Sequence, residues 1–368
     1  MATHREYKGF HIDTVGRAVR KTILNECLAL PVAAAVTWLS QESSAATLRK
    51  VIEFAASFGI NVRNLNLAQI ARVALYLGGT GLLLSANNFL NKWSANNFTR
   101  NQPGEWSRWD REIIVITGGS SGIGENIAKG LLRRNPQTTI VIIDFSPLSW
   151  TPPAGTLGKN LHYYQADLSK SDMIRDVCTR VRTEVGHPTV LVNNAGLVRG
   201  CTVMEGAYAD VEVTLRTNLT APFLLCKEFL PDMVKNNHGH IVNVCSMSAV
   251  MPPPDIVDYS ASKAGIQALH EGLARELRYR HNAPRVRLTN CIFNFIRTPL
   301  ITSSGGAGQQ KHPMQPQFFA PLLHVETVSE AIVNALYSGY GSVIYMPGIM
   351  RYITMLVCWH RTPMWDIH

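Results

Sequence analysis

Residues Ile113 to Gly124 read IIVITGGSSGIG, five strand-forming residues that run directly into a turn with glycines at 118, 122 and 124. An uninterrupted Ile/Val run marks a strand covered on both faces. The glycines allow a tight turn and close backbone approach. The helical ENIAKGLLRRN that follows, Glu125 to Asn135, brings unpaired N–H groups and a positive dipole end to the same place. That combination attracts pyrophosphate. Twenty residues past Gly124, TIVIID closes on Asp144, a carboxylate at the tip of a second strand, where it can accept a hydrogen bond from an adenosine ribose 2′-OH. Its charge repels a 2′-phosphate, and Ser120, Ser121 and Phe145 supply no compensating cation. The expected cofactor is therefore NAD, with NADP disfavoured.

Outward from this point, short β-rich runs alternate with helical stretches: Ile113 to Thr117, Thr139 to Asp144, Leu161 to Ala166, Thr189 to Asn193, His240 to Cys245, Val286 to Phe293 and Ser342 to Met346. The alternation predicts βαβ units and an α/β, doubly wound parallel sheet. Ligands bind such sheets beyond the C-terminal ends of the strands. Asp167-Leu168 and NNAG, Asn193 to Gly196, fall there, and the fifth run ends on Ser246. DYSASK, Asp258 to Lys263, follows three prolines and opens a helical stretch, and Asn218 stands earlier in LRTNLTAPF. Residues four apart share a helix face, so Tyr259 and Lys263 lie side by side.

TGGSSGIG, NNAG, Asn218, Ser246 and Tyr-x-x-x-Lys, in this order and over about residues 112 to 348, resemble the short-chain dehydrogenase/reductase family. The resemblance implies a Rossmann-type fold, a nicotinamide cofactor and hydride transfer at a CH–OH group. It implies catalytic roles for Asn218, Ser246, Tyr259 and Lys263, with Tyr259 exchanging the proton and Lys263 also holding the nicotinamide ribose. An ordinary phenol titrates near ~10, and Lys263 and the positive nicotinamide ring are expected to favour its phenolate. Cofactor contacts are implied for Gly118, Ser120, Ser121, Gly122, Ile123, Gly124, Asp144, Asp167, Leu168, Asn194, Ala195, Gly196, Tyr259, Lys263, Ile296 and Thr298. One departure stands out: the family's usual Pro-Gly after the sixth strand is Phe293-Asn294 here.

The first 111 residues have a different texture and carry six of the net nine positive charges. Two apolar runs lie there, Ile23 to Leu39 and Val73 to Ala86, each shorter than the roughly 20 residues of an ideal span. A pair of core helices and a signal peptide are open readings. The long polar lead, Glu26 and the free cysteines oppose the signal peptide. The expectation is a membrane anchor, with one run spanning or both dipping in as a hairpin. Basic residues on both flanks put the large domain in the cytosol, and an apolar anchor joined to this catalytic domain resembles the retinol and 17β-hydroxysteroid dehydrogenases, which implies the endoplasmic reticulum or a lipid droplet. Asn91 to Trp109, with three tryptophans, suits a linker at the membrane interface.

The expected organisation is an N-terminal helical membrane-associating region with linker (1–111), a Rossmann catalytic domain (112–348) and an apolar tail (349–368). Leu300 to Val325 reads as a lid or a surface loop, and Val343 to Trp359 as a further membrane contact or as core. The seven cysteines form no CxxC and no Cys/His spacing, so no metal site is expected. The adjacent basic pairs are scattered rather than striped, which disfavours nucleic acid. The expected partners are a lipophilic small-molecule alcohol or carbonyl (retinoid-, steroid- or lipid-like) and a membrane, and a homodimer is compatible with the chain. The alternative function is a ketone or aldehyde reductase of a biosynthetic pathway.

Overall fold

Seven short, mostly apolar runs, the Ile/Val-rich Ile113–Thr117 and Thr139–Asp144 among them, pair in parallel into one sheet whose central strands are buried. The computed structural model describes residues 12–41, 45–57, 66–298 and 322–359. The strands are β1 (Ile113–Thr117), β2 (Thr139–Asp144), β3 (Leu161–Gln165), β4 (Val190–Asn193), β5 (Gly239–Ser246), β6 (Val286–Phe293) and β7 (Ser342–Met346). Their order is β3-β2-β1-β4-β5-β6-β7, so the chain reverses its direction of winding between β1 and β4. That switch point opens a crevice at the strand C-termini.

Two helical layers cover the sheet. On one face α5 (Gly122–Arg134) packs Ile127, Leu131 and Leu132 with Val328, Ile332 and Leu336 of α10 (Val325–Ser338). On the other lie α6 (Ser171–Glu184), α8 (Ala221–Asn236) and α9 (Val257–Tyr279), which bury Ile174, Val177, Phe229, Met233 and Leu277. Each fully buried Ile, Leu or Phe contributes roughly 1.5–3 kcal/mol, which makes these layers the main stabilising element. Part of the apolar C-terminal run packs on the core, while Val343 and Tyr352 are exposed. The run forms β7 and then α11 (Met350–Trp359), whose Met350 joins Cys245, Ile266 and Ile292. Most of the expected lid, residues 300–321, including Phe318 and Phe319, lies outside the described residues.

The unit that contains the sheet begins at Lys92, not at residue 112. Two of the tryptophans expected at a membrane interface are instead buried against it. Trp106 is 9% exposed and packs at a tilt against His238, with ring centres 4.4 Å apart, while Trp109 is 4% exposed and stacks on Tyr337 at 4.1 Å. Arg287 explains the polar residues around them. It is 1% exposed in β6, and its guanidinium donates to Asn101 Oδ1 (2.6 Å), Asn96 O (3.0 Å) and Thr99 Oγ1 (3.1 Å). A buried charge needs such partners, and the segment supplies them.

The other unit, Phe10 to Asn91, is helical: α1 (Ile12–Lys21), α2 (Glu26–Leu39), α3 (Ala45–Ser57) and most of α4 (Leu67–Ala95). The second apolar run proves to be the middle of this 29-residue α4, because flanking Leu67, Ile70, Phe89 and Leu90 extend its apolar surface. At 1.5 Å per residue it exceeds a ~30 Å hydrocarbon core. It is long and apolar enough to cross a membrane. The first run starts at a break after α1, with α1 and α2 bent by 43°. The buried residues of α2 and α4 are small, Ala29 and Ala33 in one and Ala71, Ala74, Gly78 and Gly81 in the other, and Leu30 of α2 packs on Gly78. A Cβ on Gly81 would stand 2.3 Å from Leu24 O, so only glycine permits this approach. Beside it, Arg20 donates to Leu24 O (2.7 Å) and Gly81 O (3.0 Å), and Ser85 Oγ donates to Glu26 Oε1 at 2.6 Å.

Candidate active site

Thr117 ends β1 with its side chain turned toward the neighbouring strand. Its hydroxyl donates to Val192 O (3.2 Å) and accepts from the N–H groups of Asn194 and Ala195, both at 3.0 Å. Asn194 returns the contact, donating through Nδ2 to Thr117 O (2.9 Å) and Gly118 O (3.0 Å). The glycine-rich turn is thereby clamped to NNAG across the switch point. Gly118 (φ +66°) and Gly122 (φ +60°) adopt left-handed conformations, and a Cβ on Gly124 would meet Gly118 O at 2.3 Å. Ser121 caps α5, Ser120 is buried and Ile123 half-buried.

Asp144 sits at the tip of β2, where Oδ2 accepts from Ser120 N–H (2.8 Å) and Oδ1 from Ser146 N–H (3.0 Å). Asp167 caps the turn after β3 by accepting from Ser169 N–H at 2.9 Å, and Leu168 beside it is buried. A helix start with glycine backbone, a carboxylate at the second strand tip and a buried ammonium form a donor set that fits a dinucleotide. That ammonium belongs to Lys263.

Lys263 is 5% exposed and donates from Nζ to Val244 O at 2.8 Å. Its ammonium lies 5.5 Å from the centre of the Tyr259 ring, as the four-residue spacing on α9 requires. A Cβ on Gly196 would stand 3.6 Å from Nζ and 3.4 Å from Asn218 Oδ1, so NNAG, Asn218 and Lys263 are neighbours. Asn218 lies in a one-turn π-helical bulge, Arg216–Thr220, a distortion common at functional sites. Its side chain is tied to Leu197, accepting its N–H at 2.9 Å and donating to its carbonyl at 2.8 Å. Ser246, at the end of β5, accepts from Ser248 N–H at 3.2 Å and stands close enough to the Tyr259 phenol to lower its pKa.

The electrostatics depart from expectation at Tyr259. Burial pushes the phenol up to about 12, against the Ser246 hydrogen bond, which lowers it, and with Cys245 adding to the rise. Burial also lowers the Lys263 ammonium, opposed by Cys245. Burial thus favours the neutral phenol in the protein by itself, opposite in sign to the effect expected of Lys263 and the nicotinamide ring together.

Phe293, the last residue of β6, stands where the family's usual proline would have no N–H to give. It pairs with Ser246 on one side and Met346 on the other, and Asn294 N–H donates to Met346 O at 3.0 Å. Ile296 forms a bridge with Leu323, and Ile296 and Thr298 are buried just past this pairing. Ser262, left without a role by its sequence, is fully buried here. It donates to Tyr259 O (2.6 Å) and accepts from Asn218 Nδ2 (3.3 Å), linking the π bulge to α9. Its position within DYSASK was the available signal.

A parallel sheet with a glycine-rich turn at its switch point and a Ser, Tyr and Lys group beside it defines a nicotinamide-dependent oxidoreductase. The family model "short chain dehydrogenase" matches residues 112–306, and the chain belongs to that family. Dehydrogenase RED2 of Cochliobolus heterostrophus is 36% identical over 209 residues, 56% of this chain and 75% of that protein. Estradiol 17-beta-dehydrogenase 11 of Rattus norvegicus is 31% identical over 247 residues, 67% of this chain and 78% of that one. Among solved structures, a short-chain dehydrogenase from Sphingobium yanoikuyae in complex with NADPH superimposes with a TM-score of 0.56 at 22% identity, covering 70% of this chain and 96% of that one. A 4-hydroxyisoleucine dehydrogenase complexed with NADH gives 0.52 at 22% identity, covering 64% and 97%. These structural likenesses establish the fold.

Proposed function

We propose that this chain is an NAD-dependent dehydrogenase/reductase for a lipophilic alcohol or carbonyl, held at a membrane by its N-terminal helices. The observation that carries the chemistry is the grouping of Tyr259, Ser246 and the buried Lys263 at the strand ends beside the glycine-rich turn. When bound, the cofactor accepts or supplies a hydride at the substrate carbon. Tyr259 exchanges the substrate's hydroxyl proton through its phenol oxygen. Ser246 donates to the substrate oxygen and holds it against Tyr259. Lys263 holds the nicotinamide ribose, and Asn218 keeps the backbone of Leu197 in place beside it. Gly118, Gly122 and Gly124 let the turn receive the pyrophosphate, while Asp144 takes the adenosine ribose and disfavours a 2′-phosphate.

Two observations support the lipophilic substrate and the membrane. Helix α4 is of spanning length and apolar, and one relative is named for estradiol. The alternative reading, carbonyl reduction, uses the same residues, with Tyr259 giving its proton to the oxygen that takes up charge. Purified full-length protein assayed in both directions against retinoids, steroids and long-chain alcohols, with NAD(H) and NADP(H), tests both readings. Turnover of polar substrates alone, or equal kcat/KM for NAD and NADP, overturns the respective part.

A further inference from the structure

Behind the glycine-rich turn, the segment Ser146–Trp150 is bound to it by four hydrogen bonds. Ser120 Oγ donates to Ser146 O (2.8 Å), Ser149 N–H (3.2 Å) and Ser149 Oγ both donate to Ser120 O, and Trp150 Nε1 donates to Gly119 O at 3.1 Å. Trp150 is 8% exposed and belongs to the core cluster that includes Ile142 and Leu161. Lys129 lies over its ring at 5.3 Å and is paired with Glu125. This cation is thus already committed.

A trans peptide is planar, with C=O of one residue and N–H of the next pointing in opposite directions. Holding Gly119 O toward Trp150 therefore aims the Ser120 N–H the other way, and it lands on Asp144 Oδ2 at 2.8 Å. By the same geometry, holding Ser120 O toward Ser149 turns the Ser121 N–H away from the segment, at the start of α5. We infer that Ser149 and Trp150 are cofactor-positioning residues: through the carbonyls of Gly119 and Ser120 they set the direction of the turn's N–H groups and seat Asp144. They also leave the hydroxyls of Ser120 and Ser149 donating to backbone carbonyls rather than to a 2′-phosphate. The inference rests on the dinucleotide reading above and adds two residues to it.

The test is calorimetric titration of the full-length protein and its variants with NADH and NADPH, alongside steady-state kinetics and thermal melting. Trp150→Phe keeps an aromatic ring and removes the N–H together with the pyrrole half of the indole, while Ser149→Ala leaves the core untouched and removes one of two donors to Ser120 O. Each variant is expected to weaken NADH binding about three- to tenfold, as loss of one hydrogen bond predicts, and the double variant more. The loss should fall in the KM for cofactor rather than in kcat, at a melting temperature close to that of the unmodified protein. If Trp150→Phe does not fold, Ser149→Ala provides the same readout. A double variant that folds and binds NADH as tightly as the unmodified protein overturns the inference. Tighter binding of NADPH by the unmodified protein overturns the NAD preference alone, and the positioning role is then read from the NADPH titrations. Failure of the unmodified protein to bind either dinucleotide overturns both.

Discussion

The two units of this chain bury opposite kinds of residue. In the unit that carries the sheet, Ile, Leu, Val and Phe lie inside and polar groups outside, as water demands. From Phe10 to Asn91 the arrangement is inverted. Alanine and glycine are the buried residues of α2 and α4, while Leu28, Val32, Trp38, Tyr76, Leu83 and Phe89 are exposed. Small residues at helix contacts and large apolar ones facing outward characterise helices solvated by lipid, where close packing rather than water exclusion drives association. The same hydropathy thus produces two architectures, and the side-chain sizes at the contacts tell them apart.

If the chemistry belongs wholly to the sheet unit, the largest effect comes from one oxygen atom. Tyr259→Phe is expected to lower turnover about a thousandfold while dinucleotide affinity and membrane recovery stay unchanged. Near-normal kcat in this variant would remove the proton-transfer assignment.

The complementary change is removal of residues 1–91. Full-length protein should remain in the membrane fraction after an alkaline carbonate wash, and the remainder should be soluble, folded and able to bind NADH. Cutting instead after residue 111 takes away Asn96, Thr99 and Asn101, which satisfy the buried Arg287, together with Trp106 and Trp109. That longer deletion should cost about 3 kcal/mol or more, seen as a drop in melting temperature between the two truncated proteins. Equal stability of the two would show that the segment from Lys92 is the linker its sequence suggested. Recovery of full-length protein in the soluble fraction without detergent would break the comparison itself.

Gly81→Leu probes the helical contact alone. Its Cβ would meet backbone, Leu24 O, so the cost of overpacking, about 1–3 kcal/mol, has no side chain to absorb it. The helical unit should become more susceptible to protease, with NADH affinity unchanged. Unchanged protease resistance would argue against close packing of α2 on α4.

The smallest effect concerns His238, which lies between Glu112 (3.2 Å) and Glu105 (3.3 Å), with Arg285 3.7 Å from Glu105 and Trp106 packed against the ring. Burial disfavours its imidazolium, but the two carboxylates outweigh burial and raise the pKa above the ordinary 6.5. A raised folded-state pKa stabilises fully below the unfolded value and ceases to do so as pH rises through the folded value. The melting temperature of the 92–368 protein should therefore fall slightly as pH rises from 6.5 into the alkaline range. His238→Gln should flatten that slope, and an unchanged slope would exclude His238 as its origin.

The sequence by itself determined the strands, because continuous Ile/Val runs and glycine punctuation are local signals. Six of the seven, β1 to β4, β6 and β7, lie within the expected limits, with β3 and β4 each one residue shorter, and β5 extends one residue beyond them at each end. The spacing of Tyr259 and Lys263 and the position of Asp144 were equally local. Only tertiary structure decided the rest. The polar segment after α4 packs on the sheet unit because a buried Arg287 far along the chain needs its carbonyls and amides. The fate of Trp106 and Trp109 follows from that long-range contact. Burial pushes the Tyr259 phenol up, and burial has no counterpart in the linear sequence. Ser149 and Trp150 hold the glycine-rich turn through backbone carbonyls, a partnership that side-chain identity alone does not encode.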